Sequence, residues 1–198
     1  KYRTPSMIIA DGIIGQMMEK VILPPYRPRR TNDEIRQQCP WATLGKPDNR
    51  ERNVTTSLAL EAEEMERTNL RLQAKYKEIC ENEVRFEAVN CDDADFVLIA
   101  FGSIARVCMS AMEIGRKEGL KIGVLRPITL YPFPTLKIQE LAKKAKGILT
   151  VELSAGQMVE DVRLAVNGSI PVEFYGRMGG VVPTPEEVLE QLKKQLVK

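Results

Sequence analysis

Histidine is absent from this 198-residue chain. That absence removes the commonest general base, together with every Ser–His and Cys–His nucleophilic pair. No Cys-x-x-Cys pair occurs either. Cys39, Cys80, Cys91 and Cys108 are widely spaced, which supports neither a zinc knuckle nor a local iron–sulfur cluster. Free thiols in a reducing cytoplasm are their expected state. Long apolar runs are also missing: the longest, Phe96 to Phe101, falls far short of the roughly 20 residues that cross a bilayer. No signal peptide is read at Lys1, which is followed by a strand-like stretch. Neither sign of charge is in excess, and a net charge of +2 is too small to argue for nucleic acid. No GxGxxG follows a strand and no P-loop lysine appears. What is present, 43% hydrophobic and 28% charged residues, is an ordinary globular composition. The expectation is a cytoplasmic α/β piece without a self-contained active site or a metal site.

Composition divides the chain into four stretches. In residues 1–23, Met7-Ile8-Ile9-Ala10 reads as a short buried strand, Asp11-Gly12 as a turn, and Ile13, Ile14, Met17, Met18 and Val21 as a helical stripe. A single strand leaves its edge groups unpaired, so this stretch is expected to be the tail of a domain whose body lies elsewhere. Residues 24–57 read as a linker. Pro24, Pro25, Pro28, Pro40 and Pro47 interrupt helix and ladder alike, basic residues outnumber acids, and Trp41 is the one large aromatic anchor. The stretch is either an arm laid over another subunit, with Trp41 filling a pocket, or a tether docked on its own domain. Residues 58–83 carry a long amphipathic helix with Leu58, Ala62, Met65, Asn69, Leu72, Tyr76 and Ile79 in one seam. That seam packs on its own domain or in a coiled coil.

Residues 84–198 alternate strand and helix. The expected strands are Val84–Ala88 at an edge, then Phe96–Phe101, Ile122–Leu125, Ile148–Val151 and Val172–Tyr175. Helices follow Gly102-Ser103, Pro134, a Ser154/Gln157 capping box and a Thr184/Glu187 capping box. The fold class is therefore α/β: three layers, a mainly parallel sheet with helices on both faces.

Ligands of such sheets gather outside the carboxyl ends of the strands. Gly102, Ser103, Arg126, Glu152, Arg177, Gly179 and Gly180 all fall there. The Gly102-Ser103 turn either seats an anion at a helix N-terminus or only caps the helix. Arg126 and Glu152 either pair with each other or meet a neighbouring subunit. Gly179-Gly180 either admits another backbone or ligand or makes a positive-φ turn. No nucleophile or second titrating group accompanies Glu152, so no catalytic residue is assigned. Asp11-Gly12 with Asn32 lacks the preceding glycine and the spacing of the magnesium-holding thiamine diphosphate motif, and is set aside.

Four longer stretches carry a resemblance. They are Tyr2-Arg3-Thr4-Pro5 through Ala10-Asp11-Gly12 with Gly15-Gln16-Met17; Leu125 to Pro134; Val151-Glu152 through Ala155-Gly156-Gln157 to Arg163; and Gly176-Arg177-Met178-Gly179-Gly180 through Pro183 to Glu187. Together they resemble the alpha subunit of thiamine-dependent 2-oxoacid:ferredoxin oxidoreductases, closest to the 2-oxoisovalerate branch. The resemblance implies that residues 1–23 are a remnant of a pyrimidine-binding thiamine domain and residues 84–198 a domain similar to the transketolase C-terminal domain. It implies oxidative decarboxylation of a 2-oxoacid to an acyl-CoA, with ferredoxin as acceptor. Thiamine diphosphate and Mg²⁺ would sit on a beta subunit and the iron–sulfur clusters on a further one, with none bound by this chain. The strand-end rim would then face the assembly, or an anionic group such as coenzyme A.

Overall fold

The computed structural model describes residues 1–46 and 48–197, so Pro47, counted above among the linker prolines, lies outside the described residues. The chain divides into two compact units, Lys1–Met17 with Gln73–Lys198, and Met18–Leu72.

The first unit is built on a five-stranded sheet: β1 (Phe86–Val89), β2 (Phe96–Ile99), β3 (Ile122–Pro127), β4 (Gly147–Glu152) and β5 (Val172–Gly176), in the order β1-β3-β2-β4-β5. β2 to β5 run parallel. β1 alone is antiparallel, with Phe86 opposite Pro127 and Val89 opposite Val124. The central strands β2 and β4 are buried at every residue, because both sheet faces are covered; β2 is wholly apolar, and β4 is apolar but for Thr150 and Glu152. The period of two sends Phe96, Leu98, Ile122, Val124, Leu149 and Val151 to one face and Val97, Ile99, Leu125 and Ile148 to the other.

Helices α4 (Ser103–Lys117) and α7 (Pro185–Leu196) close the first face through Ile104, Cys108, Met112, Val188, Leu189 and Leu192. On the second face α5 (Thr135–Ala142) and α6 (Met158–Val166) bring Ile138, Leu141, Met158, Val162 and Ala165. Each fully buried Leu, Ile or Val is worth about 1.5–3 kcal/mol, so these two clusters, rather than local propensity, hold the three layers together. The α7 start follows the expected box: Thr184 Oγ1 accepts from the Glu187 N–H at 3.2 Å, and Glu187 Oε2 accepts from the Thr184 N–H at 2.8 Å.

The leading segment departs from expectation. Met7–Ala10 forms no strand, and Ile8 is 95% exposed. Four apolar residues make a strand only against an edge that accepts their hydrogen bonds, and none of the five strands does so. The helix after Asp11, α1 (Gly12–Gln16), is a single turn that ends before Met17, so Met18 and Val21 belong to no helical stripe.

The second unit also corrects the linker reading. Between Pro28 and Pro40 lies α2 (Asn32–Gln38), started by a full capping box of Thr31 and Glu34. Seven residues fit between prolines because Pro disrupts only the helix it sits in. The long helix α3 (Ala62–Asn82) starts four residues later than its apolar seam predicts, leaving Leu58 and Leu60 exposed. Of that seam only Ile79 is buried.

Candidate functional site

The crossover after β2 leads to β3 on one side, and the sheet then grows past β2 to β4 on the other. This places the topological switch point at the carboxyl ends of β2 and β4, where parallel sheets bind ligands. A cleft of about 370 Å³ lies there, walled by Phe101, Ile104, Leu130, Leu153, Met158 and, from the leading segment, Ile9. A second hollow of about 310 Å³ adjoins Asp11, Gln16, Arg177 and Val182. Of the residues expected at this rim, Gly102 and Glu152 line the cleft and Arg177 and Gly180 the second hollow, whereas Ser103, Arg126 and Gly179 line neither.

Its anion seat is already filled from within. The Asp11 carboxylate lies on the start of α4: Oδ2 accepts from the Ser103 hydroxyl at 2.6 Å and the Ser103 N–H at 3.2 Å. Oδ1 accepts from the Ile14 N–H at 2.9 Å and so caps α1 as well. Gly102 permits the approach. Its φ is +69°, and a Cβ there would stand 3.2 Å from Asp11 Oδ2. The Ser103 hydroxyl, then desolvation in the opposite sense and the Ile14 and Ser103 amides, leave the Asp11 carboxyl below its usual range. The sign of the linkage follows. A depressed carboxylate pKa stabilises the fold above the unfolded pKa, and that contribution is lost as pH falls through the lower, folded value. Asp11→Asn is therefore expected to lose part of the wild-type stability at neutral pH. The deficit should shrink below about pH 4, as read from urea unfolding of both proteins across pH 2.5–7; a deficit constant with pH would contradict the assignment.

Glu152, at the end of β4, is 3% exposed and caps the next helix. Its Oε2 accepts from the Ser154 hydroxyl at 2.9 Å and from the Gln157 and Met158 N–H groups at 3.1 Å, and its Oε1 from the Val159 N–H at 2.9 Å. The expected Ser154/Gln157 capping box is not formed. Gln157 is the N-cap residue without a side-chain bond, because the longer, charged Glu152 side chain takes the free amides and the Ser154 hydroxyl together.

Arg126 and Glu152 do not pair. β2 separates their strands, and Arg126 Nε faces Glu87 Oε2 across the antiparallel ladder at 3.3 Å. Arg177 meets Glu187 Oε1 at 3.7 Å and the Tyr175 hydroxyl at 3.4 Å. Both Gly179 and Gly180 have positive φ and open space around the Cβ position, so the turn is what the structure makes of them. Trp41 belongs to the other unit, half exposed. Cys91 and Cys108 are buried, and burial pushes both thiols up. Among the described residues no three His, Cys, Asp or Glu side chains converge as metal ligands, and no helix is long and apolar enough to cross a membrane. The site residue missed from sequence is Asp11 in its role as the bound anion. Its Asp-Gly step signals a helix start, but its partner Ser103 is 92 positions away.

A mainly parallel α/β sheet with helices on both faces, and a cleft at its switch point, is the frame against which the chain's relatives are compared. Residues 94–188 match the family described as pyruvate:ferredoxin oxidoreductase core domain II. The chain is similar over 98% of its length, at 43% identity, to the ketoisovalerate oxidoreductase subunit VorB of Methanothermobacter thermautotrophicus, of which it covers 53%. It is 27% identical, over 97% of its length, to the 2-oxoglutarate synthase subunit KorA of Methanothermobacter marburgensis, of which it covers 56%. The chain thus spans about half the length of the curated relatives it matches. The solved 2-oxoglutarate:ferredoxin oxidoreductase from Magnetococcus marinus, with 2-oxoglutarate, coenzyme A and succinyl-CoA bound, has the same fold. The TM-score is 0.66 at 23% identity, over 77% of this chain and 28% of that one.

Proposed function

We propose that this chain is the C-terminal part of the alpha subunit of a cytoplasmic 2-oxoisovalerate:ferredoxin oxidoreductase. It serves as an assembly domain within a complex that converts the 2-oxoacid to an acyl-CoA and reduces ferredoxin. The observation that carries the reading is the 43% identity along 98% of the chain to a ketoisovalerate oxidoreductase subunit. In this reading residues 1–23 are the end of a pyrimidine-binding thiamine domain. Thiamine diphosphate supplies the group that stabilises the charge left by decarboxylation. The described residues do not fit that cofactor's Mg²⁺ or an iron–sulfur cluster. No ligand cluster is present among them, and the Asp-Gly carboxylate is engaged with two helix ends. Those groups fall to a beta subunit and an iron–sulfur subunit.

The rim supports assembly better than coenzyme A binding. A phosphate at Gly102-Ser103 would meet the Asp11 carboxylate where it needs free amides, and Arg126 and Arg177 each already face a glutamate. The test is turnover by the intact complex. The specificity constant for 3-methyl-2-oxobutanoate is expected to exceed those for pyruvate and 2-oxoglutarate by about tenfold or more, the scale a shaped apolar pocket supplies. A preference for either other acid, or turnover by the 198-residue chain alone, overturns the reading. In the same complex Arg126→Ala and Arg177→Ala are expected to leave the coenzyme A KM within about twofold of wild type, whereas the loss of a binding contact raises KM.

A further inference from the structure

The Met18–Leu72 unit exposes apolar side chains that a free surface has no reason to display. Ile22 is 82% exposed and Tyr26 88%, with Val21 and Leu23 beside them, in an extended stretch held open by Pro24, Pro25 and Pro28. Proline fixes φ near −65°, so this stretch loses little chain entropy when it is laid into a groove. Directly after it come Arg27, Arg29 and Arg30. Arg27 and Arg29 have no acidic partner among the described residues, and Arg30 spends one donor on Gln38 Oε1 at 3.0 Å.

The same unit presents Trp41 on a braced loop. Asn53 Nδ2 donates to the carbonyls of Pro40, 2.8 Å away, and Ala42, 3.0 Å away, the residues before and after Trp41 in the chain. Arg50 Nη1 donates to Asn53 Oδ1 at 3.0 Å and holds the brace. On the other flank, Arg36 on α2 donates to the Leu44 carbonyl at 3.2 Å. Exposed aromatics fixed before contact are the usual anchors of an interface, because little ordering remains to be done on binding.

We propose that this unit is an intersubunit arm, and that its occupant is an apolar groove with an acidic rim on another subunit of the same complex. The apolar stretch and Trp41 fill the groove, and Arg27, Arg29 and Arg30 lie along its rim. A second copy of this chain is a poorer occupant, since a two-fold contact would set the same arginine cluster near itself. The proposal rests on the multisubunit reading above and deepens it.

The experiment compares hydrogen exchange of the full-length subunit alone with that in the assembled complex. Amides in residues 21–30 and 40–44 are expected to exchange about tenfold or more slowly in the complex. The triple charge reversal Arg27→Glu, Arg29→Glu, Arg30→Glu is expected to weaken assembly about tenfold or more, with a reduced dependence on salt. Trp41→Ala should weaken assembly comparably. Unchanged exchange in an assembled, active complex overturns the arm while leaving the functional reading intact. Protection that appears on self-association alone assigns the surface to a second copy. Binding of the free subunit to anionic vesicles, abolished by the triple variant, with no protection in the complex, assigns it to a lipid surface. Either result overturns the proposal. A complex that assembles with protected arms but prefers 2-oxoglutarate overturns only the substrate reading.

Discussion

Replacing Glu152 by Ala is expected to lower the unfolding free energy by about 3 kcal/mol, since each buried donor left without an acceptor costs about 1–3 kcal/mol. Three backbone N–H groups and the Ser154 hydroxyl converge on this one carboxylate, which is almost wholly buried. The Met158 and Val159 amides cannot turn to one another, because both point along the axis of α6. Alanine would also remove the negative charge from the positive end of the helix dipole. Glu152→Gln separates these effects. It keeps one carbonyl oxygen and turns the other position into a donor facing donors, so an intermediate loss of stability is expected. Urea denaturation read by far-ultraviolet circular dichroism orders the three proteins, wild type above Gln above Ala. The rival role, an acid or base acting on substrate, makes the opposite forecast: both variants would keep native stability and lose turnover only.

Gly123→Ala is expected to be about as damaging, near the upper end of the roughly 1–3 kcal/mol that overpacking costs. Gly123 lies in β3, and a Cβ built there would stand 2.9 Å from the Asn90 carbonyl oxygen and from Cys91 Cα, and 3.0 Å from Cys91 Sγ. Two of those neighbours are backbone, and they have nowhere to go. Asn90 is in the left-handed region at φ +52°, its carbonyl accepts from Arg116 Nη2 at 2.8 Å, and Cys91 is buried. The Arg116 guanidinium is itself held by Asp93 and the Ile122 carbonyl. Gly15→Ala is the control: nothing lies within 4 Å of its Cβ position and its φ is negative, so the change should be neutral or slightly stabilising in a helix. A loss below about 1 kcal/mol at Gly123, smaller than the overpacking cost, would show that the 90–91 corner yields.

How much was legible in the sequence depended on how far apart the interacting residues are. Phe96–Ile99 is an apolar run, and Ile148–Val151 is one but for Thr150; such a run, buried on both faces, announces a parallel strand wherever it pairs. The α7 box was readable because Thr184 and Glu187 satisfy each other within one turn. The same pattern misled at Ser154 and Gln157. There Glu152, five residues before Gln157, reaches the amides first, and no local spacing reveals which of two competent acceptors wins. The Arg126–Glu152 pairing failed for another reason. Strand order is a property of the whole sheet, and β2 slips between two strands that are consecutive in the chain. Met7–Ala10 carried the apolar signature of a strand, but pairing needs a partner edge, which a local pattern does not contain.

The carboxylate that joins α1 to Ser103 makes the leading segment and any incoming oxyanion rivals for a single socket. A phosphoryl group could enter the turn at Gly102 only as Asp11 left it, and the departure of Asp11 would uncap α1 in the same event. Seating of such a group and release of the segment are therefore two readings of one equilibrium, each opposing the other by the same free energy.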